Sequence, residues 1–275
     1  MPDLRSILLH LDATPASTAR LALARRLAER QGARLTALFG IRIEAYRTSF
    51  AYSASAALRA AEEQEPAPHQ QERARLRQLC AESDPPCGWC EVAGDTVTHG
   101  FQAEAAYADL LVLGQQAGIE PAGGAPPGFV ESVILDGGTP AIVVPQACRQ
   151  ETIGQRVLVA WNGSAQAARA MRAALPILAQ AAEVRVVSWS APPLQAPFSR
   201  LDAPGWLQRH GIAAQAHRRD PSSKVAEELA ALALELNSDL VVMGCYGHTR
   251  LRERVFGGVT RSLLASEPVA VLMAH

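Results

Sequence analysis

The sequence predicts an α/β chain made of two tandem doubly wound domains, each a five-stranded parallel sheet, packed together as an intramolecular pseudo-dimer. Short apolar runs alternate with helical patterns along the whole chain, the signature of a parallel sheet covered by helices. The pattern also runs through twice. Ile7-Leu-Leu-His-Leu11-Asp12 is echoed by Val157-Leu-Val-Ala-Trp161-Asn162, and Asp109-Leu-Leu-Val-Leu-Gly114 by Asp239-Leu-Val-Val-Met-Gly244. Thr139-Pro-Ala-Ile-Val-Val144 is echoed by Glu267-Pro-Val-Ala-Val-Leu272. The later two echoes lie about 130 residues apart, one domain's length. The halves are therefore residues 1–146 and 155–275, joined near Gln146 to Gln155.

In the first half, a strand over Arg5 to Leu11 leads to a helix over Ser17 to Gln31 that Gly32 stops, then a second strand over Leu35 to Ile41. Glu44 to Pro68, rich in Ala, Ser, Glu and Tyr, reads as a partly helical excursion broken by Pro66 and Pro68. A helix over Gln70 to Ala81, a strand over Trp89 to Ala93, a helix over Thr96 to Tyr107 and a strand over Leu110 to Leu113 follow. A helix around Phe129 to Leu135 and a strand over Ala141 to Val144 close the unit. The second half reads as strand Arg156 to Ala160, helix Ala165 to Gln180 and strand Val184 to Trp189. After a proline-rich loop come a short helix near Gly205 to His210 and strand Ala213 to His217. Asp220-Pro-Ser-Ser223 predicts the cap of a helix with Val225, Leu229, Leu232 and Leu236 on one face. Strands Leu240 to Met243 and Val269 to Met273 are the last two.

Composition bounds the function. The chain has 275 residues, 48% of them hydrophobic, which is ample for packed cores. A formal net charge of −1 gives no electrostatic reason to expect nucleic acid or an anionic membrane as partner. The N-terminus has no long apolar core or small-residue cleavage site, and no apolar run is long enough to span a bilayer, so a cytoplasmic address is expected. Five irregularly spaced cysteines argue against a secreted disulfide framework.

A doubly wound sheet binds ligands at the carboxyl ends of its strands where the winding reverses, here between the first and fourth strands of each half. In the second half that crevice gathers Asn162, Gly163 and Ser164 with Met243, Gly244 and Gly247, and the helix opening at Gly257 would close it. Glycines at a strand exit let backbone N–H groups approach a ligand, and a helix start adds unpaired donors and a positive dipole end. The chemistry indicated is anion binding, most naturally of nucleotide phosphate.

These residues resemble a tandem universal stress protein over essentially the whole chain. The family's pattern of Gly, two residues, Gly, nine residues, Gly, then Ser or Thr is met by Gly244, Gly247 and Gly257, with Gly258 in the last place. The resemblance implies an adenine nucleotide alpha hydrolase-like fold and a family of stress-responsive, dimerising adenine-nucleotide binders, some binding ATP and some not. ATP, or AMP or ADP, with or without Mg, is the ligand it implies, and it implies no defined reaction. The family's acidic residue after the first strand is matched by Asp12, but by Asn162 in the second half. Gly258 keeps the N–H of the usual Ser or Thr without its hydroxyl, which Thr260 in the same helical turn would supply beside Val259. Ser188 and Trp189 fall at the adenine-contacting position, and His248 lies in the phosphate loop. The first half keeps Gly114 but follows it with Gln115-Gln-Ala117, and it places Phe129-Val130 where the second half has Gly257-Gly258. Bulky side chains there would cover the phosphate-gripping N–H groups, which leaves one nucleotide site per chain.

Each signal has a plainer reading. The glycines serve equally for tight turns and close helix–sheet contact. Asn162-Gly-Ser164 makes a turn and helix cap, and Arg250, Arg252, Arg254 and Arg261 make a solvated basic face. His248 would cap its loop and Cys245 be an ordinary loop residue. Cys87-Gly-Trp-Cys90 has dithiol spacing, but it sits at a strand entry rather than a helix start, with no second pair to complete a zinc set. No Ser-His-Asp set has a hydrolase context, and weak ATP hydrolysis would lack a nameable general base. Two function classes remain: a regulatory nucleotide-binding module, and an interaction protein with an empty site. In either, the two apolar fifth strands are expected to pair, and whole chains could associate further as a homodimer.

Overall fold

The computed structural model describes residues 3–41, 62–93, 97–116, 123–148, 150–189, 202–245 and 269–275. Their contacts form two compact units, one essentially Leu4–Thr139, the other Pro140–Pro145 together with Gln150–His275.

In the first unit, β1 (Ser6–Leu11) and β2 (Arg34–Ile41) are continuous apolar runs joined by α1 (Ala16–Gln31). Gly32 ends α1 in the left-handed region, φ 64°, its N–H bonded back to Glu29 O. Helix α2 (Ala67–Ala81), β3 (Gly88–Ala93), α3 (Val97–Ala105), β4 (Leu110–Gly114) and α4 (Phe129–Gly137) follow. Helix α2 starts before the predicted Gln70, because Pro68 lies in its first turn, where a missing N–H costs nothing, instead of breaking it. Most of the predicted Glu44 to Pro68 excursion lies outside the described residues. The strand order is β3-β2-β1-β4, all parallel, so the winding reverses beside β1 as the sequence predicts. Burial of Leu9, Phe39, Phe101, Leu111 and Phe129 makes the core.

The second unit has β5 (Ala141–Val144), β6 (Arg156–Ala160), α5 (Ala165–Ala173), α6 (Leu175–Leu178) and β7 (Glu183–Trp189). It continues through α7 (Ala203–Arg209), β8 (Ala214–Arg219), α8 (Val225–Glu235), β9 (Leu240–Gly244) and β10 (Ala270–Ala274). The order is β5-β10-β9-β6-β7-β8, again with the first strand of the repeat, β6, at the reversal. All neighbours are parallel except β10 and β5, which pair antiparallel with Leu272 opposite Ile142, the expected union of the two fifth strands.

Two local expectations fail for clear reasons. The single helix over Ala165 to Gln180 is broken at Ala174, because Pro176 has no N–H to donate into the preceding turn. Helix α8 begins after Lys224 without a side-chain cap. Ser222 instead accepts the Lys224 N–H at 3.0 Å and gives its hydroxyl proton to Glu228. Among the described residues no helix is long and apolar enough to cross a membrane.

Candidate functional site

In the first unit the exit of β1 is filled by the chain itself. Asp12 is 6% exposed, and its Oδ1 accepts hydrogen bonds from the Thr14 N–H (3.2 Å), the Ser17 hydroxyl (2.7 Å) and Arg20 Nη2 (3.2 Å). Arg20, itself only 3% exposed, also donates from Nε to His10 O at 2.8 Å and from Nη2 to Ser17 Oγ at 2.9 Å. Its guanidinium sits against Gly114, where a Cβ would stand 2.0 Å from Nη1. Gly114 is therefore needed to admit a cation from α1. Burial alone would raise the Asp12 carboxyl, but Arg20 and the hydroxyl donors more than reverse that and hold it far below the usual carboxylate range. His10 is fully buried against Phe129, ring centroids 4.5 Å apart, and neither ring nitrogen has a hydrogen-bond partner among the described residues. Burial lowers it from 6.5 to about 4, so it is neutral at pH 7.

The start of α4 beside β4 is closed as well. Phe129 and Val130 are buried at the start of α4, as the bulky residues there suggested. The Gln116 side chain lies over that helix start, donating to Pro126 O at 2.7 Å and Ala125 O at 3.2 Å, with its Oε1 3.5 Å from Val130 N. The space left between Asp12, Arg20, Gly114 and Gln116 is ≈ 20 Å³, room for about one water and far below a ligand pocket.

The second unit repeats one hydrogen bond of this turn without its charges. Asn162 Oδ1 accepts the Ser164 N–H at 3.0 Å, the same side-chain turn that Asp12 makes with Thr14. Gly163 has φ 75°, which favours glycine. Ser164 caps α5 by accepting the Ala167 N–H at 3.1 Å. Asn162 and Gly163 are exposed. Eight residues beyond Asn162, where the first unit has Arg20, stands the buried Ala170.

Gly244 ends β9 beside β6, with Val242 opposite Val159 in register. A Cβ on it would lie 2.3 Å from Ala167 N and 2.5 Å from Gln166 C, so the first motif glycine lets the start of α5 press onto the strand. Met243 is buried in the same strand. Ser188 and Trp189, both half-buried, end β7, the neighbour of β6 on its other side. Trp189 Nε1 donates to Glu228 Oε2 at 2.6 Å, and bonds from Ser222 and Trp189 hold that carboxyl below its ordinary value. The structure thus places Asn162, Gly163, Ser164 and Gly244 together at the reversal point, with Ser188 and Trp189 one strand away. Gly247, His248, Gly257, Gly258, Val259 and Thr260 lie outside the described residues. Arg20, Ala170 and Gln116 are the informative positions that sequence patterns do not single out; the only sequence sign is the Arg-to-Ala change at matching places in the two repeats. Among the described residues no cluster of His, Cys, Asp or Glu could hold a metal ion.

Residues 154–275 match the model of the Universal stress protein family. That stretch, β6 to β10, carries one universal stress protein domain. Over the whole chain the fold is similar to that of a universal stress protein from Archaeoglobus fulgidus, with a TM-score of 0.73 and 16% identity, covering 98% of this chain and 97% of that one. A functionally unknown protein from Pseudomonas aeruginosa PAO1 aligns with a TM-score of 0.58 and 15% identity over 98% of this chain and 92% of its own. At such identities the likeness is one of fold. No protein of the curated set matches the sequence.

Proposed function

We propose that the C-terminal half, residues 155–275, binds ATP or a related adenine nucleotide at the carboxyl ends of β6 and β9, and that the chain is a stress-response regulator acting through that site. The observation that carries the reading is the pair of neutral replacements, Asn162 for Asp12 and Ala170 for Arg20, which removes the internal ion pair at the β6 exit and leaves Asn162 and Gly163 exposed. In this reading Asn162 and the turn through Ser164 face the ribose and phosphates, Ser188 and Trp189 the base, and the segment from Met243 and Gly244 through Gly247, His248, Gly257, Gly258, Val259 and Thr260 supplies N–H and hydroxyl donors to phosphate. Asn162 offers no carboxylate, so a Mg ion would rest on the phosphate oxygens. No catalytic role is assigned to any residue.

Equilibrium dialysis of the full chain with labelled ATP tests this. Saturable binding of one nucleotide per chain, lost in a Gly247→Val Gly257→Val double variant, is the expected result. Absence of binding at millimolar ATP, or binding that ignores the double variant, would overturn it. One observation favours a second reading, an interaction protein with a vestigial site: close packing of α5 already accounts for Gly244 without a ligand.

A further inference from the structure

The spacing Cys87-Gly-Trp-Cys90 draws the eye to the wrong pair. Cys90 lies within the extended strand β3, three residues past Cys87, which separates the two by about 10 Å, beyond disulfide reach. Cys87 faces another thiol, Cys80, at the end of α2. The two thiols lie close enough to shift each other's titration, and Cys87 Sγ donates to Gly88 O at 3.3 Å. Their backbones are joined as well, Cys87 N–H donating to Cys80 O at 3.0 Å, which keeps the α-carbons within about 7 Å. Buried Ser83 fastens the loop between them: its hydroxyl donates to Cys80 O at 2.7 Å and accepts the Cys87 N–H at 2.9 Å. Both cysteines are reduced; Cys80 is 1% exposed and Cys87 8%.

We propose that Cys80 and Cys87 are a reversible dithiol–disulfide site, oxidised by hydroperoxides, that staples the end of α2 to the entry of β3. Its two members are unequal. The neighbouring Cys80 thiol, with help from the Ala37 N–H and nearby Arg25, pulls the Cys87 thiol below its ordinary value against the effect of burial, whereas the Cys87 thiol and burial push Cys80 up. Cys87 is thus the attacking thiolate and, as the more exposed of the two, the one a small peroxide reaches. Its sulfur attacks one peroxide oxygen, the O–O bond breaks, and the departing hydroxide takes a proton to leave as water, with Cys87 as the sulfenic acid. Cys80 sulfur then attacks Cys87 sulfur, the S–S bond forms as the S–O bond breaks, and hydroxide leaves with the Cys80 proton as a second water. Two thiols are oxidised by two electrons and one hydroperoxide is reduced.

The test uses the intact chain treated with hydrogen peroxide, unfolded and titrated for thiols. Five should fall to three and return to five with dithiothreitol. Cleavage after glutamate separates Cys80, before Glu82, from Cys87 and Cys90, which stay together on the fragment ending at Glu91. The expected product joins these two fragments through Cys87 with Cys90 alkylatable, and a Cys90→Ser variant behaves the same. Five thiols persisting after peroxide, a bridge through Cys90 or Cys148, or a loss that dithiothreitol does not reverse would each overturn the proposal.

Discussion

The exits of β1 and β6 share one side-chain hydrogen bond, and they differ in what fills them. Both begin with a side-chain carbonyl or carboxylate oxygen accepting an N–H two residues on, Asp12 to Thr14 and Asn162 to Ser164. In the first, an arginine from the following helix lies on Gly114 and neutralises Asp12 internally; in the second, the matching glycine, Gly244, receives helix backbone instead, and the arginine's place is Ala170. A glycine at a strand exit is thus no evidence of a ligand by itself. What distinguishes the two halves is that the first exit holds an internal ion pair and the second carries neither charge.

Removing the plug is the severest way to break the comparison. Arg20→Ala leaves Asp12 buried without its partner, and a loss of about 3–5 kcal/mol is expected. Urea unfolding measures it; a loss under about 1 kcal/mol would mean that the pair is not the internal substitute described here. Acid probes the same place. His10 titrates at about 4 in the folded chain against 6.5 unfolded, so the unfolded state takes up the proton first. Stability should therefore fall as pH drops from about 6.5 to about 4, by up to about 3 kcal/mol, after which this contribution levels off. Asp12, whose folded value is depressed, adds a further loss below pH about 4. Unfolding midpoints of His10→Leu should lack the slope between pH 6.5 and 4.

Transplanting the plug sharpens the contrast in the other direction. An Asn162→Asp Ala170→Arg double variant should weaken ATP at least about tenfold, about 1.4 kcal/mol, in the dialysis experiment. Undiminished affinity would detach the β6 exit from nucleotide binding altogether. The smallest effect expected is at the shared turn: Ser164→Ala removes the cap of α5 and should cost about 1 kcal/mol in chemical denaturation.

Much of this architecture was readable in the chain. Ala141 to Val144 and Arg156 to Ala160 match their strands residue for residue, because strands buried on both faces are unbroken apolar runs. The reversal beside β1 and β6 is the switch point of a right-handed doubly wound sheet, the fold class that the alternating strands and helices predict. The bulky pair Phe129-Val130 likewise announced a helix start closed by its own side chains. Arg20 was not readable, since a cation on an amphipathic helix looks like part of its solvated face. Its burial depends on α1 meeting the exit of β1, with His10 and Asp12, and the end of β4 at Gly114, a coincidence that no periodicity encodes. The same holds for Cys80, whose partner lies across a turn and outside the recognisable spacing. Asp109 and Asp239 make a milder case: each closes the start of its repeat's first strand, Asp109 accepting from Arg5 N and Ser6 N, and Asp239 from Gly154, Gln155 and Arg156 N. Their recurrence at one place in the repeat was visible, but not their bonds.

The pairing of β5 with β10 bears on how the chain can be divided. The repeat ends one copy after Val144 and starts the next near Gln155, yet Ala141–Val144 packs with the later copy. A gene fragment opening at Gln155 would shed this neighbour and leave Ala270–Ala274 as a bare apolar margin, ready to zip onto another molecule. One opening at Pro140 would bring its own cover, and size-exclusion chromatography of the two fragments would tell them apart. The seam in the message and the seam in the folded object are several residues out of step.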